Sequence, residues 1–161
     1  FSRDYITTSC NLKELVSSVV TSKKRDFIYK GVFPKMDIGE SISVYTDKKW
    51  GSYMLAQIIS NAIKYSDVNK NNKIEIMATN KNNVIELLIK DYGIGITEED
   101  LPRVFEPFFT GNNGRKERGS SGIGLYMVNI IAKKLGHKIK IESKIDSGTV
   151  VKIEFNNESI I

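Results

Sequence analysis

Residues 55–65 read LAQIISNAIKY. Leu55, Ile58, Ile59 and Ala62 recur at helical spacing, which predicts a helix with one side in a core. Gln57, Asn61, Lys64 and Tyr65 fall at i, i+4, i+7 and i+8, a second continuous side of the same helix. Such a polar stripe is either the wetted face of an amphipathic helix or the wall of a site.

Working outward, Asp47 is a natural N-cap for this helix. Upstream, residues 1–9 read as extended, with Tyr5 and Ile6 as short apolar anchors. Asn11 and Glu14 make a capping pair for a helix whose stripe is Leu12, Leu15, Val16 and Val19. Residues 28–32 and 42–45 read as strands by β-branched and aromatic content. Downstream, residues 73–79 and 84–90 form a hairpin signal around the turn Asn80-Lys81-Asn82-Asn83. Residues 97–104 read as a short helix capped by Thr97, with Asp100 at its third position. Residues 123–135 read as a helix with Val128, Ile131, Ala132 and Leu135 inward, ended by Gly136. A last hairpin joins residues 138–143 to 149–155 through Asp146, Ser147 and Gly148. These elements predict an α+β fold of two layers: a mixed, mostly antiparallel sheet of about five strands with about three helices on one face.

The 161 residues suit a single domain, 1–161, with no interior linker. Hydrophobic residues at 40% and charged residues at 27% are the balance of a soluble globular protein, and no apolar run is long enough to span a bilayer. No signal peptide is visible, and a chain that opens on Phe1 is expected to be cut from something longer. The one cysteine, Cys10, makes neither an internal disulfide nor a metal site and suits a reducing compartment. The net charge of +5 is spread over scattered lysines, so nucleic acid is not an expected partner.

Three further stretches carry chemistry. DYGIGI, residues 91–96, places two glycines after an acidic strand end, where backbone bends sharply and a ligand comes close. It has neither the third glycine of a dinucleotide fingerprint nor the Lys-Ser/Thr of a Walker A loop. FEPFF, residues 105–109, sets three phenylalanines and a proline before FTGNNGRKERGSSG, residues 109–122, which has almost nothing to bury and reads as a mobile loop. GSSGIGLYMV, residues 119–128, ends that loop with Gly119, Gly122 and Gly124 before a helix, where exposed N–H groups suit an anion.

In this order and spacing the blocks SNAIKYS, DYGIGI, FEPFF and GSSGIGLYMV, with a closing SGTVVKIEF, resemble the ATP-binding catalytic domain of sensor histidine kinases. That family sits in the larger superfamily of HSP90, MutL and gyrase B, which shares the Bergerat ATP-binding fold. The resemblance runs from about Cys10 to Phe155 and implies binding of ATP with Mg²⁺. It implies that Asn61 is the metal ligand, an amide oxygen being a suitable hard donor. Lys64 would sit on the phosphates, Tyr65 beside the adenine or ribose, and Asp91 on the exocyclic amine of adenine. Gly93 and Gly95 would let the chain pass the base, with Ile96 also in the nucleotide site and the Thr149 hydroxyl supporting Asp91. Residues 110–122 would form the ATP lid, based on Phe108, with Arg115, Lys116 and Arg118 as charges on the phosphates and Gly119, Gly122, Gly124 and Leu125 at its far end. Gln57 departs from the family's commoner second asparagine, leaving open whether it reaches metal or water.

The resemblance further implies phosphoryl transfer to a histidine on a separate dimerisation domain and onward to a response-regulator aspartate. The only histidine, His137, follows a helix-ending glycine in LGHKIK, which lacks the phospho-acceptor pattern; it is expected to be an exposed turn residue. The chain is thus expected to be a catalytic domain unable to autophosphorylate alone, monomeric when isolated and part of a homodimeric, cell-membrane sensor whose catalytic part is cytoplasmic. QIISNAIKYS, with TDKKW upstream, is similar to sensor kinases paired with antimicrobial-peptide (bacitracin-type) transporters of low-GC Gram-positive bacteria. That adds a peptide-transporter complex as a partner. The competing readings are a serine kinase of the anti-sigma-factor type, an ATP-gated module of a chaperone or mismatch-repair protein, and a non-catalytic nucleotide-binding module.

Overall fold

The computed structural model describes residues 5–109 and 124–155. In chain order its elements are β1 (Thr7–Asn11), α1 (Leu12–Ser22), α2 (Lys24–Lys30), β2 (Phe33–Asp37), β3 (Ser43–Asp47) and α3 (Lys48–Tyr65). There follow β4 (Lys73–Lys81), β5 (Val84–Asp91), α4 (Gly124–Leu135), β6 (Lys138–Lys144) and β7 (Gly148–Phe155). The expected lid, residues 110–122, lies outside the described residues.

LAQIISNAIKY closes α3. Met54, Leu55, Ile58, Ile59, Ala62 and Ile63 are buried, as the helical spacing requires. Buried Asp47 starts the helix: Oδ1 accepts from the Trp50 N–H at 2.8 Å while Oδ2 accepts from the Ile6 N–H at 2.6 Å. One carboxylate therefore caps α3 and holds the incoming chain. At the other end the Lys30 ammonium donates to the Lys64 carbonyl at 2.9 Å, where the helix dipole favours a cation.

The main sheet has the order β2-β4-β5-β7-β6, with β2 and β4 parallel and every other pair antiparallel. On one face Ile74, Ile76, Ile85, Leu87, Ile89, Ile153 and Phe155 are buried in a single core with the stripes of α1, α3 and α4. The alternate positions are polar: Glu142, Lys152, Glu154 and Lys138 form exposed ion pairs at 3.2–3.6 Å, worth little to stability. Two layers follow directly from this alternation. The expected sheet is present.

Several local expectations change. Residues 28–32 are not a strand: residues 24–30 form α2, which Gly31 ends in the left-handed conformation (φ 81°), and the strand begins at Phe33. A glycine stop inside the apolar run decides this, because φ > 0 ends a helix and interrupts a strand. Helices therefore number four among the described residues, not three. The strand expected at 42–45 is β3, and it pairs with β1 in a separate two-stranded sheet. Residues 97–104 make only a 3-10 turn at Leu101–Arg103, although Thr97 Oγ1 does accept from the Asp100 N–H at 3.1 Å. Pro102 has no N–H with which to continue a helical ladder. The Ile6 side chain is 70% exposed, so this residue is held by its backbone N–H and not by apolar packing, whereas Tyr5 packs on Trp50 with ring centroids 5.8 Å apart.

In the β4–β5 hairpin the pairing continues to Lys81↔Val84, so the turn is two residues, Asn82 (φ 52°) and Asn83 (φ 64°). Asparagine tolerates this conformation and a β-branched residue does not. Asn83→Val is expected to destabilise the fold by about 1–2 kcal/mol in urea melts; an unchanged midpoint would show that the hairpin does not depend on that backbone.

Candidate functional site

Strand β5 alternates Ile85, Leu87, Ile89, Asp91 on its buried side, so its last inward residue is a carboxylate where the pattern calls for an apolar side chain. Asp91 pairs with Thr149 on β7, and Thr149 pairs with Ser143 on β6. Residues directly opposite across strands share a face, so Asp91, Thr149 and Ser143 form a polar row at one end of the helix-covered side.

Asp91 is 5% exposed. Burial pushes its carboxyl up to about 7, against the N–H groups of Gly93 (3.0 Å) and Thr149, which hydrogen-bond the carboxylate and hold it down. A carboxylate so placed strips easily of water and accepts hydrogen bonds strongly.

Glycines lock the surroundings of Asp91 together. A Cβ at Gly93 would lie 1.9 Å from the Tyr65 carbonyl oxygen; here Ser66 and Gly93 bridge, and the Ile94 N–H donates to Tyr65 C=O at 3.1 Å. A Cβ at Gly95 would lie 2.1 Å from the Lys144 carbonyl oxygen. A Cβ at Gly148 would lie 2.1 Å from the carbonyl oxygen of Asp91 itself. The described neighbours that require Gly93 and Gly95 are thus the chain's own backbone, at the end of α3 and in the β6–β7 turn. Gly148 was read from sequence only as part of a turn.

Ser143 was also missed. Its Oγ accepts from the Ile96 N–H at 2.8 Å, donates to the Gly148 carbonyl at 3.0 Å and lies 2.7 Å from Thr149 Oγ1. The available signal was its place in the apolar phase of β6, after Ile139 and Ile141. Thr149 reaches Asp91 through its backbone N–H, while its hydroxyl bonds Ser143.

The polar stripe of α3 is half-buried at Gln57, Asn61, Lys64 and Tyr65. Tyr65 meets the Asp91 turn through its carbonyl, and Lys64 Nζ stands 5.5 Å from the Tyr65 ring centroid. Gln57 Oε1 would be 2.7 Å from a Cβ at Gly124, so the glutamine lies against the first residue of α4. Leu125 packs on the core. The stripe is therefore tied to the Asp91 turn at one end and to the start of α4 along its side. Phe108 is 74% exposed with φ 64°, and Phe109 stacks under the Arg103 guanidinium at 4.3 Å. Arg115, Lys116, Arg118, Gly119 and Gly122 lie outside the described residues.

His137 is a correction. It is buried, with Nε2 2.9 Å from Thr46 Oγ1 and its ring 4.8 Å from that of Phe155. Burial lowers its pKa to about 4, so it is a neutral structural group. A concavity of about 430 Å³ lies by Ser41, Asn80 and Asn83 at the end of β5 opposite Asp91 and has no charged lining residue. No group of three or more His, Cys, Asp or Glu suited to a metal occurs among the described residues, and no helix there is long and apolar enough to cross a membrane.

Residues 46–159 match the family model described as histidine kinase-, DNA gyrase B-, and HSP90-like ATPase. The sensor histidine kinase YxdK of Bacillus subtilis is 41% identical over 155 residues, covering 96% of this chain and 47% of the relative. The sensor protein kinase GraS of Staphylococcus aureus is 38% identical over 152 residues, covering 94% and 42%. The chain thus spans less than half the length of these relatives. Among solved structures, the catalytic domain of histidine kinase ThkA matches with a TM-score of 0.80 at 24% identity, over 94% of this chain and 96% of that one, a likeness of fold alone. The Acinetobacter baumannii histidine kinase AdeS matches with a TM-score of 0.74 at 25% identity, over 97% and 68%. The α3 stripe, the Asp91 turn and the β6–β7 row all fall inside the matched 46–159, and the chain belongs to the histidine kinase-, DNA gyrase B- and HSP90-like ATPase family.

Proposed function

We propose that this chain, acting as one domain, binds Mg-ATP and presents the γ-phosphoryl to a histidine on a separate dimerisation domain of a two-component sensor kinase, for onward transfer to a response-regulator aspartate. The observation that carries the reading is buried Asp91 at the end of β5, backed by two N–H groups in a chain of this ATPase family. An ionised carboxylate there accepts a hydrogen bond from the exocyclic amine of adenine and leaves the keto oxygen of guanine unpaired. Tyr65 borders the base or ribose. Lys64 supplies a point charge to the phosphates, as do basic side chains among Arg115, Lys116 and Arg118. The first N–H groups of α4, from Gly124, favour the same anions. Gln57 lies beside the first residue of α4.

The Asn61 amide, half-buried on the stripe, fits a Mg²⁺ that takes its remaining oxygens from phosphates and water. That ion would neutralise charge on the transferring group; the chain's own contribution is position and electrostatics. With its only histidine buried and hydrogen-bonded to Thr46, the chain takes its phospho-acceptor from elsewhere. The full protein is proposed to be a homodimeric membrane sensor with this domain in the cytoplasm, working with a peptide-transporter complex as the QIISNAIKYS and TDKKW stretches imply.

Two measurements test this. Calorimetric titration of Asn61→Ala is expected to show ATP binding that no longer depends on Mg²⁺; an unchanged metal requirement excludes Asn61 as a ligand. Purified dimerisation hairpin added in trans is expected to acquire acid-labile, base-stable phosphate. Acid-stable phosphate on serine would instead identify a serine kinase.

A further inference from the structure

We infer that Ser143 is a positioning residue for purine selection: its hydroxyl fixes the direction of the Thr149 hydroxyl and so makes the row beside Asp91 present acceptors only. The inference rests on the adenine-binding reading above. It follows from counting protons among four groups.

A serine hydroxyl has one proton to donate and two lone pairs to accept with. The Ile96 N–H, 2.8 Å away, only donates, and it takes one lone pair of Ser143. The Gly148 carbonyl, 3.0 Å away, only accepts, and it takes the proton. For the 2.7 Å contact with Thr149 to be a hydrogen bond as well, Thr149 must be its donor. Ser143 is then saturated, and the one Thr149 proton points away from Asp91. What Thr149 Oγ1 has left is lone pairs. Since Asp91 and Thr149 stand directly opposite on β5 and β7, the open side of the row combines a carboxylate with a hydroxyl that cannot donate. A 6-amino purine offers N–H groups to both. A 6-oxo purine carries an oxygen at that position, its one ring donor, N1–H, lying one atom further along the edge, and a freely turning threonine would rescue the oxygen by swinging its proton round. Ser143 prevents that rotation. It touches no ligand and acts through Thr149.

Inosine triphosphate is the appropriate probe, since it carries the 6-oxo group and lacks the 2-amino group of guanine. Binding of ATP and of inosine triphosphate is measured by calorimetry at about pH 8, where Asp91 is mostly ionised, on wild type, Ser143→Ala, Thr149→Val and the double variant, each with its thermal melt. Ser143→Ala is expected to lower the ATP preference by about tenfold, the scale of one hydrogen bond whose direction matters. Thr149→Val is expected to lower it as much, and the double variant no further than either alone. Ser143→Cys fills nearly the same space with a weak acceptor. It is expected to lose preference in the same way, and it stands in if the alanine variant does not fold. An unchanged preference in Ser143→Ala or Ser143→Cys, equal weakening of both nucleotides, or additive losses in the double variant would overturn the inference and leave Ser143 as a structural tie. Absence of nucleotide binding by wild type would overturn the ATP-binding reading itself, with this inference.

Discussion

Asp91→Asn is expected to weaken ATP binding by roughly 10- to 100-fold, about 1–3 kcal/mol, and at pH 8 to make the nucleotide-free fold more stable. Both effects have one cause. The carboxyl is raised from 3.8 to about 7 chiefly by burial. Because the folded-state value exceeds the unfolded one, the stability linked to this group is fully present below about pH 4 and is lost as pH rises through about 7. Three pKa units correspond to about 4 kcal/mol, the upper bound on what the neutral amide restores at pH 8. The difference in melting temperature between variant and wild type is therefore expected to be widest at pH 8 and to close towards pH 4. His137 works in the opposite sense: burial lowers it to about 4, so its contribution is present above pH 6.5 and lost as pH falls through about 4. Both proteins share that acid loss, and subtracting one melting curve from the other isolates Asp91. Equal ATP affinity in the two proteins would contradict the role given to the carboxylate. Equal melting temperatures at pH 8 would contradict its burial cost.

Gly148→Ala is expected to destabilise the fold by on the order of 3–5 kcal/mol. Two penalties coincide. The residue sits at φ 102°, which L side chains rarely adopt, and its Cβ would fall 2.1 Å from the Asp91 carbonyl oxygen, a backbone atom that cannot swing aside. Relief requires β5 and β7 to part at the Asp91–Thr149 pair, so nucleotide binding should fall along with stability. By contrast Gly31→Ala has nothing within 4 Å of the new Cβ and meets only the strain of φ 81°. Chemical denaturation of the two variants side by side checks this: a similar small loss for both would show that the strand ends are not in the tight contact described.

Stripes within one element are legible, because the side chains that share a face recur at the element's own period. The buried sides of α1, α3 and α4, the caps at Asn11 and Asp47 and the hairpins β4–β5 and β6–β7 all come from such local patterns. The run from Lys24 to Val32 was ambiguous because its phenylalanine, isoleucine, tyrosine and valine suit a strand as well as a one-sided helix; only Gly31 distinguishes them. The pairing of β1 with β3 was invisible, since nothing in either strand states which partner it meets. The same holds at the site. Asp91 and its glycines stand out in sequence, but that Gly93 backs onto Tyr65, and that Ser143 saturates its hydroxyl on three groups from two other segments, depends on register between strands far apart in the chain.

The most direct test of the whole account is a crystal structure of this domain with Mg²⁺ and a non-hydrolysable ATP analogue. The account predicts the exocyclic nitrogen of adenine about 2.7–3.2 Å from a carboxylate oxygen of Asp91, with the Asn61 amide oxygen about 2.1 Å from the metal. A base bound elsewhere, or the end of β5 filled by packed side chains with nucleotide present, would contradict it.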